Sequence, residues 1–507
     1  MRKRKTVALV VAVLVLAFAC TVLLAACNEG PSSPASKGVS RPENTFTDNL
    51  DKTDSENLVA DAALTASSAS SDVANLTDAD TDTVWTAETV EGEYIEIRFA
   101  SPTTVNTIVL RENGNYVTGF RFLKESDGAW EEFYRQDRME RYRYCTFDAE
   151  TVTAIRIAFD GANEGRAISV SEIEVYNIAP KTYQNEFRVF SYYNSGDFLS
   201  PALDDEELAA QLDVVTDVIM FLFVYWDGDG NLVFQEDPEN PDADGPSLLL
   251  RAIDKIKELG GDDVNICIDL YPTNLAEHGL PENTDKLVAN IAAFVREYDI
   301  DGVDFDWEYP TNPEEWYAYG DMMMKLKNEI AKDGKYVSVA LSNFNVRFTQ
   351  EQIEAIDYVQ IMGYDRFDVD GNNSSFRSGA YLPMRYFVNL GFEPSQLIAG
   401  MPVYGRPDNE TVGEIWTNYY YDGGNVYADE AMTSPYTVWD NAQWITYDGK
   451  TMKVYVTGAA MAADKTAYAI EQGFAGVMLF RNLIDYPIED ERSVVGAIGK
   501  TIAERIA

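Results

Sequence analysis

Only one histidine, His278, occurs in 507 residues, which nearly excludes a histidine-based catalytic triad or a zinc hydrolase. Cysteine is nearly as scarce. Of the four, Cys20 and Cys27 lie in the first 27 residues, while Cys145 and Cys267 fall in different predicted domains and no CxxC occurs, so no disulfide-stapled scaffold is indicated. Basic residues are outnumbered, 40 to 84 acidic, for a formal charge of −44. That balance argues against nucleic acid and polyanionic glycans as partners and favours a neutral one.

The positive features begin at the N-terminus. Arg2-Lys3-Arg4-Lys5 precedes an apolar run from Val7 to Ala26, the layout of a secretion signal. Its end, Leu24-Ala25-Ala26-Cys27, resembles the bacterial lipobox, which implies cleavage before Cys27, its lipidation, and a protein held at the bacterial cell surface facing outward. An uncleaved membrane anchor is the alternative, since the run is long enough to span a bilayer; either way the chain is tethered outside the cytoplasm. Residues 28–57, rich in Ser, Pro, Asn, Asp and Thr, read as a disordered tether.

Two patterns of periodicity follow. From 58 to 178, short alternating segments (Tyr94 to Phe99, Val105 to Arg111, Gly119 to Lys124, Trp130 to Arg135, Thr153 to Phe159, Ile173 to Tyr176) separated by turn residues predict a β-sandwich. Beyond the connector Ile178-Ala179-Pro180, eight strand-like runs alternate with helix-like segments over 183–507. They start at Arg188, Val218, Val264, Gly302, Tyr336, Tyr358, Leu397 and Gly476, and predict a (β/α)8 TIM barrel. A separate core and a proline-containing connector suggest a sandwich that can be removed without harm to the barrel.

Within the fourth of these strands lies Asp301-Gly302-Val303-Asp304-Phe305-Asp306-Trp307-Glu308. Alternation puts Asp304, Asp306 and Glu308 on one face and Val303, Phe305 and Trp307 on the other. Carboxyls about 6–7 Å apart along a buried strand cannot all ionise cheaply, so they share protons and titrate as a group. A protonated carboxyl beside an ionised one is what glycosidic cleavage requires. The C-terminal ends of barrel strands hold the active site in this architecture, and Glu308 stands at such an end.

These acids, with Asp301 to Pro310 around them, resemble the DxxDxDxE signature of glycoside hydrolase family 18, the chitinase family. Three further segments are similar to that family in the same order: Gln360 to Asp365, Gly400 to Arg406, and an insertion from Tyr420 to Tyr447 that includes Pro435-Tyr436 and Trp444-Ile445-Thr446-Tyr447. The resemblance implies substrate-assisted hydrolysis with retention and without a cofactor. Glu308 would protonate the glycosidic oxygen, Asp306 orient the substrate acetamide, Asp304 tune the proton of Asp306, and Tyr364 donate to the acetamido oxygen. Asp365, Met362, Tyr404, Arg406, Phe480 and Trp307 would bind sugar. β-1,4-linked N-acetylglucosamine glycans are the expected partner, and a monomer is expected. An endo-β-N-acetylglucosaminidase of N-glycans and a non-catalytic lectin remain open alternatives. Two positions depart from the family pattern. Cys267-Ile268-Asp269-Leu270 replaces S-x-G-G, bringing a thiol and an extra carboxylate, and Phe480 stands where a tryptophan is usual.

The first domain resembles the discoidin, or coagulation factor type C, fold, which includes family 32 carbohydrate-binding modules. The likeness rests on Leu76 to Trp85, Tyr94 to Ile97, Ser126 to Trp130 and Ser171 to Tyr176. It implies a structural Ca²⁺ at Asp78, Asp80, Thr83 and Glu172, where closely spaced oxygens suit that ion.

Overall fold

The computed structural model describes residues 53–507, apart from 184–185, 202, 243–244, 274–278, 366–374, 408–435, 448–449 and 482–484. Cys27, most of the 28–57 tether, His278, Pro435 and most of the Tyr420 to Tyr447 insertion therefore lie outside the described residues.

The first domain contains strands β1 (Ala63–Ala66), β2 (Trp85–Thr86), β3 (Tyr94–Glu112), β4 (Val117–Ser126), β5 (Ala129–Gln136), β6 (Arg143–Ala162) and β7 (Ser169–Tyr176). All pair antiparallel in the order β2-β7-β3-β6-β4-β5, with β1 on β3. Two of the short segments expected from the sequence, Tyr94 to Phe99 and Val105 to Arg111, are halves of the single strand β3, whose register on β6 shifts between Arg98 and Thr103. Alternating apolar side chains from these strands, among them Trp85, Ile97, Phe120, Phe122 and Ile157, form a core of their own.

The barrel is built from β8 (Arg188–Asn194), β9 (Asp217–Trp226), β11 (Asn265–Pro272), β12 (Gly302–Phe305), β13 (Tyr336–Leu341), β14 (Tyr358–Ile361), β15 (Leu397–Pro402) and β19 (Gly476–Phe480). Each pairs in parallel with the next, and β8 closes the ring between β19 and β9. The eight strands are those expected from the sequence, and β10 (Leu232–Phe234) adds antiparallel to β9. A three-stranded antiparallel sheet of β16 (Arg406–Pro407), β17 (Ala442–Tyr447) and β18 (Lys450–Tyr455) is inserted between β15 and β19.

Around β12 the local chemistry is readable. Asn283 caps the preceding helix Thr284–Glu297 by accepting from the Lys286 N–H, and Asn312 caps the following helix Pro313–Ile330 with proline in its first turn. Gly302 opens the strand because a Cβ there would lie 2.1 Å from a Tyr336 ring carbon. Only glycine lets Tyr336 pack across the strand. The Asn312 cap fixes where the chain leaving the strand turns into the next helix.

The sandwich is joined to the barrel more firmly than its short connector suggests. Tyr142, just before β6, and Tyr144 within it merge into the barrel core, and Tyr142 stacks on Tyr381 at 4.4 Å between centroids. Asp464, on the helix Ala459–Glu471, is fully buried and receives three donors from the sandwich. They are Arg143 Nη2 at 2.7 Å, Tyr134 Oη at 2.6 Å and the Thr146 N–H at 2.7 Å. Arg505 of the last helix reaches back to the Asn106 carbonyl at 2.8 Å and the Thr107 hydroxyl at 3.0 Å. The sandwich has its own core, but one face of it packs into the barrel's.

Removing one partner of such a buried pair strands the other charge, at a cost of about 3–5 kcal/mol. Asp464→Ala is expected to destabilise the whole chain by about that much in denaturant unfolding. A chain lacking residues 1–177 is expected to be insoluble or to melt well below the full-length protein. A truncated barrel with an unchanged melting temperature would show that the shared face contributes nothing.

Candidate active site

Strand β12 sets the site. Asp304 is wholly buried, and its Oδ2 accepts the Tyr192 hydroxyl from β8 at 2.7 Å. Strand β12 proper ends at Phe305, earlier than the sequence suggested, yet the Asp306 N–H still donates to the Leu270 carbonyl at 3.0 Å. The extended chain thereby carries Asp306 and Glu308 on toward the barrel mouth. There Glu308 is exposed, in contrast to the buried Asp304.

Crowding shows in the protons. Burial raises Asp304 to about 6, against the opposing influence of the Ser338 and Tyr192 hydroxyls. Asp306 is pushed far above the usual carboxylate range, first by burial and then by the charges of Glu308, Asp269 and Asp304. Glu308 is raised as well, chiefly by burial. This is the expected proton-sharing row, with the extra member Asp269 on β11.

An aromatic floor lies over the row. Tyr364, just beyond β14, stacks on Phe480 at 5.9 Å with 19° between planes, and Tyr404 meets both rings edge-on at 6.1 and 6.0 Å. Asp365 holds the rim: its Oδ1 accepts the Tyr404 hydroxyl at 2.7 Å and pairs with Arg406 Nε at 2.8 Å. Tyr364, Asp365, Tyr404, Arg406 and Phe480 thus converge, while Met362 is nearly buried behind them.

Trp307 departs from the expected sugar-binding set. It is 5 % exposed, packs edge-on against Tyr319 at 5.3 Å and leaves room for only glycine at 279. The cause is strand alternation, which points it away from the acids beside it.

Two floor residues escaped the sequence reading. Tyr192 and Phe221 approach Phe480 at 5.5 and 5.7 Å. Phe221 is aimed by an irregularity in β9, where Leu222 takes a positive φ of 64° and the register on β11 shifts. Nothing in the alternation of β9 announces that bulge. Both rings pack edge-on against Phe480, and Tyr192 is itself buried.

The acids suggested for calcium do not gather into a metal site. Asp78 accepts the Asp80 N–H at 2.9 Å and the Thr83 hydroxyl at 2.8 Å, while Asp80 accepts the Asp82 N–H at 3.0 Å. Each carboxylate thus caps its own turn. Glu172 adjoins Asp78 and is raised to about 7 by burial and by that neighbour. Among the described residues no group of three or more His, Cys, Asp or Glu side chains could hold a metal, so the calcium expectation is not supported.

A closed parallel barrel with a proton-sharing carboxyl row at the C-terminal end of a strand has the makings of an acid–base active site. Residues 188–482 match the family model of glycosyl hydrolases family 18, more than half of the 507 residues, and the chain belongs to that family. Residues 62–173 match the F5/8 type C domain. Among curated proteins it is similar to "Probable chitinase 2" of Drosophila melanogaster, 29% identical over 140 residues, covering 24% of this chain and 29% of that protein. It is also similar to "Probable endochitinase" of Caenorhabditis elegans, 25% identical over 240 residues, covering 37% of each. The chain thus spans about a third of the length of these relatives. Among solved structures, the chitinase ChiB of Flavobacterium johnsoniae is 20% identical, with a TM-score of 0.44 over 63% of this chain and 94% of that one.

The raised carboxyls carry a stability cost with a definite sign. Asp304 is protonated in both folded and unfolded states below about pH 4, whereas between there and about pH 6 the folded state alone keeps the proton. Stability is therefore lost as pH rises through that window. Asp304→Asn is expected to raise the melting temperature at pH 7, by the equivalent of about 1–3 kcal/mol, with the gain vanishing near pH 4. An Asn variant destabilised equally at both pH values would contradict the assignment.

Proposed function

We propose that the chain is a retaining glycosidase that hydrolyses β-1,4-linked N-acetylglucosamine glycans of the chitin type by substrate-assisted catalysis. The observation that carries this reading is the row of carboxyls at the C-terminal end of β12: Asp304 is buried and held by Tyr192, burial raises all three acids, and Glu308 is the exposed member.

In this mechanism Glu308 delivers its proton to the glycosidic oxygen as the C1–O bond breaks. The carbonyl oxygen of the substrate's own acetamide attacks C1, giving an oxazolinium ion beside Asp306, whose proton passes toward the Asp304 carboxylate so that an anion faces the positive charge. Tyr364 steadies that carbonyl, and the Phe480 ring supports the sugar. Water, deprotonated by Glu308, then attacks C1 from the face the leaving sugar vacated, the bond from C1 to the acetamide oxygen breaks, and the β-anomer results. No side chain becomes covalently attached, and no metal or cofactor enters the scheme.

The curated relatives named as chitinases support the chitin-type substrate. The F5/8 type C domain is read as an accessory glycan-binding domain. The basic start and the apolar run ending at Cys27 support a lipid anchor at the bacterial surface.

Glu308→Gln removes the proton donor with almost no change of shape, so hydrolysis of chitin oligomers is expected to fall by at least about 10³-fold while their binding persists. Full activity in that variant would sink the assignment. In early NMR spectra the β-anomer is expected first, and an oligomer lacking the 2-acetamido carbonyl is expected to be inert. Products released from an N-glycosylated protein instead of from chitin oligomers would move the substrate to the N-glycan core.

A further inference from the structure

The Asp269 carboxyl has no role in the scheme above. It is fully buried on β11, and neither of its oxygens has a hydrogen-bond partner. In the parallel pairing of β11 with β12 it stands opposite Asp304, so both side chains leave the sheet on the same face from strands about 4.8 Å apart. Asp304 spends one oxygen on Tyr192 and has Oδ1 buried without a partner. Two buried carboxyls in paired positions, with three unsatisfied oxygens between them, are a costly arrangement unless a proton lies between them.

We propose that Asp269 and Asp304 form a carboxyl pair sharing one proton, in which Asp269 is the positioning residue: its acid O–H supports the Asp304 anion beneath Asp306. A neutral carboxylic acid is a hydrogen-bond donor, and Asp304 Oδ1 is buried without a geometrically complete hydrogen bond, Ser338 acting on the same carboxyl from the opposite neighbouring strand. The surroundings favour keeping that proton on Asp269. From β12 and its extension Asp304, Asp306 and Glu308 act on it with negative charge, and the ionisable neighbours from β8, β9, β11 itself and the helix Pro313–Ile330 are Tyr192, Tyr225, Cys267, Tyr271 and Tyr319. No cation is among them. Burial, followed by the charge of Asp304, raises Asp269 far above the ordinary aspartate range, and the Leu270 backbone N–H opposes this without completing a hydrogen bond.

Cys267 shows why the pair matters. Its thiol sits where the family pattern has a serine, and its hydrogen bond goes to the Ile268 carbonyl at 3.9 Å, not to Asp304. Asp269 supplies from two residues further along the same strand the donor that the thiol does not. The arrangement is a departure of this chain, since the pattern it resembles has glycine at that position.

The test compares Asp269→Asn, which keeps a donor and can never ionise, with the similarly sized but donor-free Asp269→Leu. The kinetic arm rests on the hydrolytic reading: in kcat/KM profiles on N-acetylchitooligosaccharides, the leucine variant is expected to move the acid limb up by about one pH unit, because Asp304 ionises less readily without its donor. The asparagine variant is expected to leave that limb in place. The second arm needs no turnover. The infrared C=O stretch of protonated carboxyls at neutral pH is expected to lose one group's intensity in both variants, and the carboxylate band of Asp304 to appear at higher pH only in the leucine variant. An acid limb or an Asp304 titration that shifts downward in both variants would mean that Asp269 is ionised, and overturn the pair. Equal behaviour of the wild type and the leucine variant would overturn it too. If the wild type hydrolyses no N-acetylglucosamine substrate while the infrared result holds, the functional reading fails and the pair stands.

Discussion

Charge confined to the inside of one barrel wall governs this molecule. Asp304, Asp306, Glu308 and Asp269 lie on or just past two neighbouring strands, and burial alone is enough to keep protons on most of them. Where like charges crowd in a poorly solvated place, one group ionises and the others stay neutral. The hydroxyls of Tyr192 and Ser338 oppose the upward push of burial on Asp304, the deepest member, and Glu308 at the other end of the row is the exposed one.

Such a row costs stability, and the rest of the fold has to offset it. The caps at Asn283 and Asn312 hold the flanking helices, and the barrel core is continuous around all eight strands. The sandwich contributes as well, through a face that buries Asp464 among Arg143, Tyr134 and Thr146. Asn441, which begins the approach to β17, donates to Gln136 at 2.8 Å, and Trp439 meets Tyr134 edge-on at 5.5 Å. The inserted sheet beside the cleft thus leans on the sandwich. Any accessory role of that domain is exercised from a fixed orientation to the active site.

Much of this was legible in the chain itself. Period-two apolar runs alternating with capped helical segments predicted all eight barrel strands, since a buried parallel strand has few ways to be written. The acid row was legible for the same reason: acids at every second place in a buried strand contradict their surroundings, and such contradictions mark functional sites. Trp307 was misplaced although the same alternation, applied to it, gives its true side. Phe221 was hidden because a bulge obeys no period. The union of sandwich and barrel was hidden because Arg143 and Asp464 are 321 residues apart, and a lone arginine and a lone aspartate carry no mark of each other.

The departures from the family pattern form a coherent set when placed in three dimensions. Tryptophan gives way to Phe480, and Tyr192 and Phe221 close on the smaller ring. Serine gives way to Cys267, whose thiol points to its own strand, and a carboxyl appears two residues on, opposite the very group the serine would have served. Each loss lies within one side chain's reach of a gain. A site that had merely decayed would show the losses alone. Here aromatic rings pack around Phe480 and a second buried carboxyl faces the deepest acid, so each departure has a neighbour against which its effect can be measured.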